Sequence, residues 1–269
     1  MSFYGAEVIY DGKPSSFYDL RILSFETGGQ GESPAGSEIK IFDQYVNRRS
    51  KPYYFGNVKH TPLEFDITLG SLNPLIATDR GLIDKLFLGR DTYKTFQIVQ
   101  DDLANIKFDV LFTNATNIYV GNVCRAIKLH GQCLEPWGNT FPKTLTYTYT
   151  TEINKDFIFT FYNDSDDRDY LYPYISFTLS NIGTAFTLTN STDGSRVFGF
   201  GLSGSLLSPN EVITVDNDRQ ILTSSLGLYR LSRFNKNWFR LLPGANIIRL
   251  VGAIKSFIMT YTLARKVGG

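Results

Sequence analysis

An all-β protein is predicted, and three observations predict it. Phe and Tyr number 21 and 16 in 269 residues while Met numbers two; with abundant Thr, Ile and Gly they suit pleated surfaces and tight turns better than helices. Apolar and polar residues alternate at period two in several short runs. The last forty residues hold Asn237-Trp-Phe-Arg-Leu-Leu-Pro-Gly-Ala-Asn-Ile-Ile-Arg-Leu-Val-Gly252, in which Pro presets φ for the second residue of a type II turn and Gly accepts the positive φ of the third. Two antiparallel strands joined at Leu242-Pro243-Gly244 are expected, then a third over Ser256 to Leu263. Together they close a β-sandwich with Trp238, Leu241, Ile247 and Phe257 in its core.

A first domain is read over residues 1–142. Leu63, Phe65, Ile67 and Leu69 alternate with Glu64, Asp66 and Thr68, and Ile106, Phe108, Val110 and Phe112 with Lys107 and Asp109; both are half-buried strands. Between them lies a helix signal, with Thr78 or Asp79 as N-cap, Leu82, Ile83, Leu86 and Phe87 on one face, and Gly89 as the stop. One short helix within a sheet predicts a small β-barrel or sandwich with a helical cover. From Thr27 to Thr61 the pattern weakens, and Gly28 to Gly36 is a flexible loop by composition. Tyr45, Tyr53, Tyr54 and Phe55 then cluster with Arg48, Arg49 and Lys51. A long aromatic and basic loop of this kind carries contacts to a neighbouring subunit or partner, or its rings cap the domain's own core. Both readings stand.

The boundary falls at Phe141-Pro142-Lys143, and residues 143–269 form the second domain. Short strands are expected over Asp156 to Tyr162, Tyr170 to Leu179, Ala185 to Thr189, Arg196 to Leu202 and Val212 to Val215, with turns such as Asp193-Gly194 between them, as in a sandwich or jelly roll. Along Tyr170 to Leu179, Leu171, Ile175, Phe177 and Leu179 share the core face. Tyr170, Tyr172 and Tyr174 share the other. Such a row stacks on sugar rings, anchors a protein interface, or packs against the first domain.

Net charge is +1, so no overall field draws the chain to DNA or a membrane. No acid follows Asp218, whereas nine Lys and Arg do, and residues 1–218 carry 18 basic and 26 acidic side chains. Ion pairing within the second half, with Asp164, Asp166, Asp167, Asp169 and Asp193 as partners, is the favoured reading over a basic face for another subunit. Cys124 and Cys133, on one extended strand, would stand about 30 Å apart; two reduced cysteines, one or both buried, are expected. The N-terminus has no secretory pattern, and Pro243, Arg249 and Lys255 interrupt the most hydrophobic stretch. A soluble protein made in a cytoplasm and not bound to a membrane is expected.

Chemistry-bearing motifs fail on inspection. Gly199-Phe-Gly-Leu-Ser-Gly204 matches a dinucleotide fingerprint, but Ser205 to Pro209 cannot continue as the required helix and no acid lies twenty positions on. Asn163 to Asp169 lacks the Gly and Glu of a calcium-binding EF-hand loop. Nucleophile-elbow, zinc-protease and phosphate-loop signatures are absent, and two His leave little for acid–base work. No enzyme, cofactor or metal is expected.

Read in order, Phe159-Thr-Phe-Tyr-Asn163, Tyr172-Pro-Tyr-Ile-Ser-Phe177, Asn190-Ser-Thr-Asp-Gly194, Leu206 to Asp216 and the Leu-Pro-Gly-x-Asn turn resemble the second half of the distal tail proteins of long-tailed bacteriophages. Phe108 to Ile127, Gly131 and Cys133-Leu-Glu-Pro-Trp137 resemble that family's first domain; residues before about 60 match only loosely. The resemblance implies a structural hub without catalysis, a homo-oligomeric ring, usually a hexamer, between the tail-tube protein and the tip proteins of the virion. DNA passes through without specific binding. First domains form the ring, and second domains are galectin-like sandwiches on which some relatives carry receptor-binding proteins. Arg48, Arg49 and Lys51 are then expected to face neighbouring subunits rather than the channel. A carbohydrate-binding, lectin-like module is the alternative, disfavoured because the second half has no His and one Trp.

Overall fold

A computed structural model describes residues 7–26, 40–47, 50–58, 61–149, 155–181, 184–201 and 206–266. The fold is all-β with one α-helix among these residues. Contacts divide the chain into two units, Met1–Phe141 with Arg265–Gly269, and Pro142–Ala264.

The first unit contains β1 (Val8–Tyr10), β2 (Lys13–Pro14), β3 (Arg21–Glu26), β4 (Lys40–Gln44), β5 (Tyr53–Val58), β6 (Glu64–Gly70), β7 (Lys94–Ile98), β8 (Ile106–Val120), β9 (Val123–Cys133) and β10 (Gly138–Thr140), with helix α1 (Ala77–Phe87). The main sheet runs β2-β1-β7-β8-β9-β6-β3, and β10 pairs with β8. The period-two reading is the register that forms. Leu63, Phe65, Ile67 and Leu69 enter one core with Ile106, Phe108, Val110 and Phe112. Tyr10, Phe87 and Phe112 meet at ring distances of 5.0–5.4 Å in that core. Cys124 and Cys133 are free and buried, and burial pushes the Cys133 thiol up to about 12.

Helix α1 places Ile83, Leu86 and Phe87 on the core. Leu82 stays half exposed, because a 100° step per residue sets it at the rim of that stripe. The N-cap is Ile76, not Thr78 or Asp79. Asp79 acts from the third helical position, where its carboxylate accepts the Ile76 N–H at 3.2 Å and meets the positive end of the helix. Gly89 ends it: its N–H donates to Asp84 O at 3.1 Å, and a Cβ there would stand 2.7 Å from Lys85 O.

The second unit contains β11 (Lys143–Thr148), β12 (Lys155–Asn163), β13 (Tyr174–Leu179), β14 (Phe186–Asn190), β15 (Arg196–Phe200), β16 (Val212–Asp216), β17 (Ile221–Ser224), β18 (Gly244–Gly252) and β19 (Ile254–Tyr261); β20 (Ala264–Arg265) follows. Two sheets, β11-β19-β13-β16-β17 and β12-β18-β14-β15, make a β-sandwich. Phe177 and Phe257 of one sheet meet Phe186 of the other, with Phe177 stacked on Phe186 at 3.9 Å.

The closing segment differs from its reading in three ways. Residues 235–240 form no strand; Asn235 and Asn237 are drawn instead to Val197 O of β15. Past the turn, strands β18 and β19 each join a different sheet, and the chain crosses the sandwich at Gly252 and Ala253. The phase of β18 is also shifted: Asn246, Ile248 and Leu250 point inward, while Ile247 is 47% exposed. An inward Asn is invisible to a hydrophobic count, so the sequence reading assigned the wrong Ile. Leu241 and Phe257 are core residues as expected, but Phe239, not Trp238, takes the buried place. Trp238 is half-buried, edge-on to Phe234 at 4.9 Å. Trp238→Ala should therefore cost about 1–2 kcal/mol rather than a core ring's 3–5, as read by urea denaturation. A loss above that would restore Trp238 to the core.

Candidate functional site

Strands β4 and β5 form a two-stranded sheet of their own, in which Asp43 lies opposite Tyr54 and Gln44 opposite Tyr53. Phe42 and Phe55 approach to 5.6 Å and Tyr53 and Phe55 to 6.5 Å, a small ring cluster on one face. Tyr54, one position off in register, belongs to the other face. Tyr45 is 72% exposed and Tyr54 63%, and Phe42, Val46, Tyr53 and Phe55 are exposed with them. The rings of this segment therefore do not cap the first unit's core. Lys51 is exposed in the connecting turn, whereas Arg48 and Arg49 lie outside the described residues. A two-stranded hairpin is marginal alone in water, and this one leaves its aromatic side chains exposed.

A second exposed element escaped the sequence reading. The alternation of β8 stops at Phe112, and its far end presents Ile118, Tyr119 and Val120 to solvent. Gly121 and Asn122, at φ +57° and +65°, turn the chain into β9 as a two-residue hairpin loop requires. Arg80 Nη1 donates to Tyr119 Oη at 2.7 Å. The available signal was length, since β8 spans 15 residues against a typical strand of about 5–6.

Where β6, β8 and β9 run side by side, Asp66 accepts a hydrogen bond from His130 Nδ1 at 2.8 Å and pairs with Lys128 Nζ at 3.0 Å. Burial pushes the Asp66 carboxyl up, but the bonds from His130 and Lys128 outweigh it and hold it below the usual range. Asn114 and Thr116 line the same shallow depression.

Tyr170, Tyr172 and Tyr174 are each partly exposed, with Pro173 and Ile175 buried between and after them. Only Tyr174 lies within β13, because Pro173 has no N–H for a ladder; Leu171 is tied instead to Leu241 by an isolated bridge. Tyr170 and Tyr172 meet edge-on at 6.4 Å. The Arg240 guanidinium lies 3.9 Å over Tyr170 while bonding both Asp193 oxygens at 2.8 and 3.0 Å. One ring face of Tyr170 is thus already occupied.

Ion pairs account for much of the basic second half. Arg230 pairs with Glu211, Arg240 with Asp193, Arg249 with Asp156, and Arg219 more loosely with Asp216 at 3.9 Å. Of the acids named from sequence, Asp193 is a partner. Asp167 and Asp169 shape a turn: Ser165 N–H donates to Asn163 Oδ1, Asp167 N–H to Ser165 Oγ, and Asp169 N–H to Asp167 Oδ1. No cluster of His, Cys, Asp and Glu among the described residues is arranged to hold a metal ion, and no described helix is long and apolar enough to cross a membrane. The glycine-rich stretch after β15 turns at Gly201, with φ +72°; residues 202–205 lie outside the described ones.

The Leu-Pro-Gly-x-Asn turn is held from inside. Gly244 has φ +82°, as its turn requires. Asn246, fully buried, accepts the Leu242 N–H at 2.9 Å and donates to Leu242 O at 2.8 Å and Gly244 O at 3.0 Å. Asn190 Nδ2 donates to the same Asn246 Oδ1 at 2.9 Å. One amide closes the turn and pins it to β14.

A family model described as a phage tail protein N-terminal domain matches residues 3–134, and one described as a phage tail C-terminal domain matches residues 140–260. No curated protein matches the chain. Among solved structures, the Dit (gp 19.1) protein of phage SPP1 has a TM-score of 0.69 at 15% identity, over 96% of this chain and 98% of its own. That protein is described as a paradigm of the hub adsorption apparatus in Gram-positive-infecting phages. The phage P2 baseplate in its activated conformation is similar with Ca, at a TM-score of 0.56 and 10% identity over 99% of both chains. Its form with Sr scores 0.54 at 9% identity over 98% of both. These likenesses are of fold, and they agree with the resemblance read from the sequence. With both of its halves matched by the family's two domains, and with the all-β fold of a distal tail protein, this chain belongs to the phage tail protein family.

Proposed function

We propose that the protein is a hub at the distal end of the tail, a homo-oligomeric ring of six that joins the tail-tube protein to tip and receptor-binding proteins and lets DNA pass. In this reading residues 1–142 make the ring and residues 143–269 project from it, and the protein is made in the host cytoplasm before joining the virion. The observation that carries it is the β4–β5 hairpin, a separate small sheet whose Phe42, Tyr45, Tyr54 and Phe55 are exposed and suited to contact with a neighbouring copy. Arg48, Arg49 and Lys51 would frame that contact. A channel that passes DNA must not hold phosphates, because counterion release would turn a basic lining into a trap; the first 142 residues carry 14 basic and 16 acidic side chains, which suits a neutral lining.

The native mass of the purified protein tests this. A multimer, closing alone or with tail-tube protein, is expected, and Tyr54→Asp with Phe55→Asp should weaken association by about 100-fold or more without changing the far-UV circular dichroism. A monomer that also ignores tail-tube protein would sink the reading. No hydrolysis of cell-wall polysaccharide is expected; turnover abolished by replacing one carboxylate would overturn that. The row Tyr170, Tyr172 and Tyr174 serves this function better as a protein contact than as a sugar platform, since Arg240 already covers Tyr170.

A further inference from the structure

The five-stranded sheet of the second unit ends at β17, and the outer edge of that strand is open. Thr223 lies opposite Thr214 and Leu222 opposite Val215, and Ser225 N–H donates to Val212 O at 2.9 Å. By the alternation of an antiparallel ladder, Ile221 and Thr223 turn their backbone groups to β16, while Leu222 and Ser224 turn theirs outward. Gly227 N–H reaches Ser224 O at 3.0 Å; among the described residues no other backbone bond is made to that edge. The end strand of the other sheet, β15, is treated differently. There Asn235 accepts the Gly199 N–H and donates to Val197 O through its side chain, and its own N–H donates to Gly199 O. One edge is capped by the chain's own side chain and backbone; among the described residues the other carries only the Gly227 bond. Nor does β17 carry the Lys, Pro or bulge that commonly blunts an edge.

Residues 227–231 return beside this edge and form the second wall of an open cleft of about 480 Å³, lined by Leu222, Ser224, Leu228, Tyr229, Arg230 and Leu231. Leu228 and Tyr229 are exposed. The walls are tied together beneath: Glu211 accepts from Ser224 Oγ at 2.6 Å and, in a buried setting, from Arg230 Nε and Nη2 at 2.7 and 2.6 Å. Ser208 Oγ takes a further Arg230 bond at 2.7 Å. The cleft is therefore preformed, which lowers the ordering cost of filling it.

We propose that this cleft binds an extended segment of a partner protein, added as a sixth strand along β17. The segment would be free of Pro, pair its backbone with Leu222 and Ser224, and lay apolar side chains on Leu228 and Tyr229. A second copy of the same edge is not the occupant, because the 227–231 wall of each copy would stand in the way of the other's sheet. A lone strand needs only its own width. The site is separate from the β4–β5 hairpin, so its failure and that of the ring are distinguishable.

The full-length protein should be titrated with an end-capped, eight-residue peptide of alternating Val and Thr, and with two versions N-methylated on alternate amides. Hydrogen–deuterium exchange should slow over residues 220–231. One methylated register should bind about tenfold more weakly and the other nearly as well as the parent, as the loss of outward backbone bonds predicts. Thr223→Lys and Leu228→Glu, both at exposed side chains, should each weaken binding about fivefold or more with the melting temperature unchanged. Equal loss in both methylated registers would mean apolar adhesion only and would overturn the proposal. So would protection centred on another edge strand, or none at millimolar peptide.

Discussion

Arg230→Ala is expected to destabilise the second unit by about 3–5 kcal/mol, among the largest effects of any single polar substitution here. Arg230 and Glu211 are almost wholly buried, at 4% and 0% side-chain exposure. Removing the guanidinium leaves Glu211 as an unpaired buried carboxylate, with only Ser224 Oγ and the Ser208 N–H still bonded to it. Removing both charges together, as Arg230→Met with Glu211→Leu, should recover much of the loss, since an apolar pair needs no desolvation of ions. The pH dependence has a definite sign. Burial pushes the Glu211 carboxyl up, but the bonds from Arg230, Ser224 and Ser208 prevail and hold it below its ordinary value. A carboxyl lowered in the folded state contributes stability that is complete above the unfolded value of about 4.3 and lost as pH falls through the folded one. The gap between wild type and Arg230→Ala should therefore shrink as pH falls below that value, in urea denaturation at each pH. A constant gap, or a single-substitution loss below about 1 kcal/mol, would mean that the pair is solvated and worth no more than a surface bridge.

Asn246→Ala is expected to cost about 2–3 kcal/mol, from two donors and two acceptors that lose a buried amide at the root of a partly exposed turn. The donors are the Leu242 N–H and Asn190 Nδ2, the latter retaining Arg240 O. The acceptors are the carbonyls of Leu242 and Gly244, Leu242 O keeping a bond from Asn163 Nδ2. Asn246→Leu keeps the volume but not the bonds, so it should be nearly as damaging; a core cavity alone would predict recovery by leucine. Denaturation midpoints of the two variants separate these accounts. Faster amide exchange at Leu242 in both would locate the damage in the turn. Equal stability of wild type and Asn246→Leu would remove the amide from any structural role.

The parts of this protein that were legible from its sequence are those set within a few residues of each other. Alternation at period two placed Phe65, Ile67, Leu69, Phe108 and Phe112 in the core, because successive strand side chains must take opposite faces. Gly244 marked a turn because its φ is positive. Family membership was legible because several such local patterns occur in a fixed order, and none of the catalytic spacings did. What tertiary structure alone decided is partnership across long separations. Asn246 faces inward because Asn190, 56 positions away, meets it there, and that contact turns Ile247 outward. Strands β18 and β19 adjoin in sequence yet join different sheets, since each finds its ladder with strands more than fifty residues earlier, β14 and β12 for one and β13 and β11 for the other. Neither the ring cluster of Phe42, Tyr53 and Phe55 nor the exposed end of β8 could be separated from core by composition, for the same aromatic side chain serves both. Burial is a property of what the rest of the chain brings to a residue, and a pattern of neighbours in sequence holds no record of that.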